Sequence, residues 1–159
     1  MATWEEYKKT MNGEPLIFEE ARCGNREALR EYLAQGQDIE VRNHRGYSLL
    51  MLAAYNDHFE TVRFLLEQGA CVNSADPGGN TVLMGASFKG LTDIVRLLIA
   101  NGAETTLQNA HGMTAADFAR VFGRHDVLAI LCEAPPTWRD PLKVAAKVLK
   151  TKLKNVVSE

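Results

Sequence analysis

The residues of this chain that could do chemistry are few and stand apart. His44, His58, His111 and His125 supply the imidazoles, and Cys23, Cys71 and Cys132 the thiols. A metal site would want such residues at short, paired spacings, and a nucleophile would want a base beside it. No two cysteines form a CxxC pair, and Cys23 has no evident base near it. The stretch DPGGNT, from Asp76 to Thr81, has glycines but not the lysine of a phosphate loop. No GxSxG, HExxH or GxxxxGK is present. The reading is of a chain that is not an enzyme, with no cofactor, metal or small-molecule substrate, whose function lies in its surface.

What positions that surface is a repeat. Gly46, Gly79 and Gly112 are 33 residues apart, and one step back falls Gly13. Gly36, Gly69 and Gly102 keep the same interval, as do Gly24, Gly90 and Gly123, with Asp57 in the remaining slot of that series. Two residues after the first set stand Ser48, Thr81 and Thr114, whose hydroxyls can cap the bare amides that open a helix. Pro15 takes that slot in the first unit, where proline is tolerated.

Each first helix presents one large and two small residues, Leu50, Ala53 and Ala54, then Leu83, Ala86 and Ser87. Each second helix presents an apolar stripe: Leu29, Tyr32 and Leu33; Val62, Leu65 and Leu66; Val95, Leu98 and Ile99; Leu128, Leu131 and Cys132. No unit can bury its stripe alone, so the units must stack. At the ends, Glu19, Glu20 and Arg120 replace apolar residues of the inner units, as solvent-facing end units require.

The stretches GYSLLMLAAYNDHFETVRFLLEQGA, from Gly46, and GNTVLMGASFKGLTDIVRLLIANGA, from Gly79, resemble ankyrin repeats. HGMTAADFARVFGRHDVLAIL resembles a terminal repeat, and PLIFEEARCGNREALREYLAQGQDIE a degenerate first one. LMGASFKG is similar to bacterial members. The resemblance covers residues 13 to 131 and implies an all-α repeat solenoid of stacked helix-turn-helix units with β-hairpin fingers between them, at VRNHRGY, SADPGGN and LQNAHGM. The domain is then 1–134, with repeats 13–45, 46–78, 79–111 and 112–134. It implies that His58 and His125, at the starts of second helices, are structural. The family's usual His in the first helix is Met51, Met84 and Asp117 here, which predicts the loss of its hydrogen bonds. Gly85, inside a first helix, is read as a place of close packing.

Two segments flank the array. An N-terminal helix over 3–11, with Trp4, Tyr7 and Met11 on one face, would shield the first repeat. Beyond Pro135 and Pro136, residues 135–159 form a linker and a basic amphipathic helix. Residues 140 to 159 carry +3, which leaves −5 for the remainder of a chain of net charge −2. Lys143, Lys147, Lys150 and Lys154 share a side of that helix and are candidates to contact an anionic surface. Packing on the last repeat, lying on an anionic membrane, and contacting nucleic acid or an acidic protein are the alternatives, nucleic acid ranking last.

Composition agrees with an ordinary folded domain: 159 residues, 46% hydrophobic and 24% charged, with no apolar stretch of membrane-spanning length. Unpaired cysteines and the absence of a basic, then apolar, leader give cytoplasm as the expected location, with periplasm or secretion the alternative if a leader has been removed.

The resemblance implies that finger tips and the exposed side of the first helices bind a partner protein. Carried over by position, the contact residues are Arg22, His44, Arg45, Tyr47, Tyr55, Asn56, Asn80, Phe88, Lys89, His111, Met113, Val121 and Phe122. Tyr55, Phe88 and Val121 stand nine residues after their glycines and so form a column. Aromatic residues, Met and Arg are the enriched constituents of interface centres. The expectation is a monomeric, non-catalytic binding module, as a stoichiometric inhibitor or self-protection protein of an enzyme, with a membrane- or nucleic-acid-anchored adaptor as the alternative.

Overall fold

A computed structural model describes residues 14–133; the expected helices over 3–11 and in 135–159 lie outside them, as do Lys143, Lys147, Lys150 and Lys154. Within the described residues are four helix pairs: α1 (Leu16–Cys23) and α2 (Arg26–Ala34), α3 (Leu49–Tyr55) and α4 (Phe59–Glu67), α5 (Val82–Lys89) and α6 (Thr92–Ala100), α7 (Ala115–Val121) and α8 (His125–Glu133). Each first helix packs on its own second helix and on the first helices of adjacent pairs.

The openings of α3, α5 and α7 are fixed by the hydroxyl row. Ser48, Thr81 and Thr114 accept from the amides of Met51, Met84 and Asp117 at 3.2–3.3 Å. At two of the three positions where the family's usual His is missing, the residue in its place makes a bond of its own. Asp117 accepts from the Thr114 amide at 2.9 Å and its hydroxyl at 2.7 Å, and the Met84 thioether stands 3.4 Å from the Thr81 amide. Each closes a reciprocal cap at the start of its helix. The Asp117 carboxyl is held below the usual aspartate range, first by the Thr114 backbone amide and then by its hydroxyl.

The small residues do what their size allows. Ala21, Ala53, Ala54, Ala86, Ser87 and Ala119 are buried, and the first helices approach one another more closely than the second helices do. Closer spacing along one side curves the array, leaving the first helices and fingers on the concave side. Leu29, Val62, Leu65, Val95, Leu98 and Val127 fill the space between helices. In α8 the expected stripe is corrected: Val127 and Ile130 join Leu131 in the core, Leu128 is half-buried and Cys132 exposed. The equivalent Val62 and Val95 are fully buried inside the array, but among the described residues no further repeat covers this end.

Between pairs the chain makes tight turns. Asn43, Asp76 and Asn109 each accept two amides, two and four residues on, at 2.9–3.1 Å. The fingers are hairpins only in outline: single antiparallel bridges join Arg42 to Ser48 and Ala75 to Thr81, and no strand is present among the described residues. Adjacent fingers are stitched by Arg42, which donates to the Ala75 carbonyl at 2.6 Å, and by the Asn109 amide, which donates to the Asn80 side chain at 2.8 Å.

A second set of stitches joins the helix ends. His58 Nε2 donates to the Arg22 carbonyl at 2.6 Å, and Arg124 Nε to the Phe88 carbonyl at 2.9 Å. These are the same contact two repeats apart, with Leu91 unable to make it in the middle. His58 is therefore structural, while His125 is exposed and its expected role falls to Arg124. The contact needs Gly24: a Cβ there would lie 2.5 Å from the His58 ring, and at Gly90 it would lie 2.9 Å from Arg124 Cδ. Asp57, the exception in this glycine series, adopts the same positive φ of 62°.

Candidate protein-binding surface

On the concave side, Tyr55 at the end of α3 and Phe88 in α5 stack nearly parallel, 6.4 Å apart between ring centres. Phe122, just beyond α7, meets Phe88 edge to face at 4.5 Å, and Phe118 stacks on Phe122 at 6.4 Å. The four rings form one row across three repeats. Both geometries are favourable aromatic contacts. Yet the row is not sealed: Tyr55 and Phe122 are each 45% exposed and Val121 66%. Lys89 Nζ rests 4.7 Å over the Tyr55 ring.

Beside the row lies a groove of about 510 Å³, lined by Arg45, Tyr47, Met51, Tyr55, Phe88 and Phe118 among others, with Gly85 half-buried in its wall. The structure thus brings together Arg45, Tyr47, Asn80, Tyr55 and Phe88 of the expected set, and joins Phe122 and Lys89 to them through ring contacts. Asn80 takes part mainly as scaffold, since its side chain bonds Asp76 and Asn109. Asn56 caps α3, its amide donating to the Leu52 carbonyl at 2.8 Å. His111 is exposed at its finger tip and Met113 half-buried.

Two expected residues lie in a separate cluster at the first repeat. Glu14 pairs with Arg22 at 2.6 Å and with His44 Nδ1 at 3.2 Å, and Arg22 also pairs with Glu19. Burial works against the Arg22 charge, but the two carboxylates outweigh it and hold its pKa above the ordinary value. The Cys23 thiol is pushed up by desolvation and then by Glu19, which favours the protonated form rather than a nucleophilic thiolate. Among the described residues no three His, Cys, Asp or Glu side chains are placed to hold a metal, and no helix is long and apolar enough to cross a membrane.

Sequence reasoning missed Phe118 and Met51, and placed Val121 in the ring column where Phe122 belongs. The repeat interval holds a signal for Phe118, because Leu52, Gly85 and Phe118 occupy one slot in successive units. The reading of Gly85 as close packing is corrected: a Cβ there would meet only Tyr55 Cδ2, at an ordinary 3.7 Å.

A family model of ankyrin repeats, in three copies, matches residues 17–109. The chain belongs to the ankyrin-repeat family, whose members are generally protein–protein interaction modules and typically not enzymes. It is also similar to PA3287 of Pseudomonas aeruginosa, named as an ankyrin repeat protein, with 49% identity over 45 residues. That match covers 28% of this chain and 26% of the relative.

Proposed function

We propose that the chain captures one partner protein on its concave side, with the binding energy concentrated in Tyr47, Tyr55, Phe88 and Phe122, and that it does so as a stoichiometric inhibitor or self-protection protein of an enzyme. The observation that supports this reading is the part-exposed row of rings. Rings in contact with one another on a rigid repeat scaffold lose little freedom on binding, which is how a small set of anchors comes to dominate an interface. Helix pairs stitched at both the fingers and the helix ends hold the row in place.

The test is to cross-link and identify the partner, then measure its affinity for the purified chain and for variants with each of the four rings changed to Ala. Phe122→Ala and Tyr55→Ala should each weaken binding by roughly tenfold or more with an unchanged circular dichroism spectrum. Saturation at one chain per partner, with loss of the partner's activity, is expected of an inhibitor. Undiminished affinity in all four variants would remove the surface from consideration.

A further inference from the structure

The groove owes its depth to one missing side chain. Leu52, Gly85 and Phe118 occupy equivalent places on α3, α5 and α7; Leu52 is buried and Phe118 half-buried, and between them Gly85 leaves a gap. Glycine inside a helix is destabilising relative to alanine, and nothing in the packing asks for it, since a Cβ would meet only Tyr55 at 3.7 Å. The walls are Tyr55, Phe88, Phe118 and Met51.

The rim has a definite charge. Arg45 lines the groove with no carboxylate within salt-bridge distance among the described residues, whereas Arg22 has two and Arg30, Arg63 and Arg120 one each. Lys89 lies over the Tyr55 wall. The acid on the rim, Asp76, is turned to its own finger, accepting from Gly78 and from the backbone and side chain of Asn80. In a chain whose first 139 residues sum to −5, Arg45 and Lys89 against Asp76 leave the groove edge with an excess of positive charge.

We propose that the Gly85 slot seats one bulky apolar side chain, aromatic or long aliphatic, from a partner segment with acidic residues on both sides of it. The apolar side chain replaces the absent one in the Leu52–Phe118 row, and the flanking carboxylates meet Arg45 and Lys89. The same charges disfavour the chain's own lysine-rich tail as occupant. The inference rests on the concave side being the binding surface and adds the chemistry it selects.

The probes are capped heptapeptides with Phe, Leu or Ala at the centre, flanked on both sides by either two Glu or two Lys. They are titrated against the full, nitrogen-15-labelled chain by nuclear magnetic resonance. Glu-flanked peptides centred on Phe or Leu should shift the Gly85, Tyr55 and Phe88 amides, and bind roughly tenfold more tightly than the Ala-centred or Lys-flanked ones. Gly85→Leu should fold with an equal or higher melting temperature and lose this binding by at least the same factor; Gly85→Ala serves if the larger residue does not fold. Arg45→Gln should weaken the Glu-flanked peptides and flatten their salt dependence. The proposal is overturned by shifts elsewhere, by no shifts at millimolar peptide, by equal binding of Lys-flanked peptides, or by undiminished binding in Gly85→Leu. Should the ring variants lose the protein partner while Gly85→Leu retains it, the slot is wrong and the binding surface stands; should all retain it, both fail.

Discussion

Replacing Gly24 by Ala should destabilise the chain in a way that depends on His58, a residue 34 positions away in the sequence. Two costs are involved. Gly24 has φ 72°, where a residue with a Cβ is disfavoured by about 1–2 kcal/mol. The added methyl would also lie 2.5 Å from His58 Cγ and Nδ1, close to the root of a side chain anchored to the Arg22 carbonyl. Forcing that ring aside is overpacking, worth about 1–3 kcal/mol, and breaks a hydrogen bond worth about 1 kcal/mol. Gly24→Ala should therefore cost about 3–6 kcal/mol in total. His58→Ala alone should cost about 1–2 kcal/mol, and in that background Gly24→Ala should cost only the backbone term. Urea unfolding of the four proteins gives the coupling, expected at about 2–4 kcal/mol with the double variant more stable than the sum of the single ones. Additivity to within about 0.5 kcal/mol would refute the argument that Gly24 is glycine to admit His58.

Three further outcomes are expected. Gly85→Ala should raise stability by about 0.5–1 kcal/mol, because the helix gains a better former at a site with room for it; urea midpoints read this, and a loss of stability would restore close packing as the reason for the glycine. Ser87→Ala should be neutral or stabilising by about 1 kcal/mol, since the Ser87 hydroxyl is buried without a partner among the described residues and the equivalent position holds Ala54. For Asp117 the folded pKa is depressed, so its contribution is full above the ordinary aspartate value of about 3.9 and is lost as pH falls through the lower folded value. Asp117→Asn should flatten the acid limb of the stability curve from about pH 4 downward; an unchanged limb, with the carboxyl titrating at its ordinary value by nuclear magnetic resonance, would contradict the cap.

The His58 and Gly24 pair also shows how far the sequence could be read. Glycines at a fixed interval marked the units and their turns, because a positive φ is a local demand that few residues besides glycine meet. The same pattern could not say that Gly24 must also make room for a ring from the next unit, since that contact joins residues 34 apart. His58 and His125 looked alike as residues at helix starts, but only His58 has a carbonyl of the preceding repeat within reach.

By itself the sequence determined the repeat, the helix openings and the side that carries aromatic residues. Each follows from a local rule: hydroxyls at helix starts, apolar spacing along a helix, glycine where φ is positive. Only the tertiary structure decided that Phe122 rather than Val121 completes the ring row, that Phe118 joins it, and that Gly85 opens a groove instead of closing a contact. Those outcomes depend on how near the helices of adjacent repeats come and on which side chain crosses the gap between them, distances that no single repeat contains.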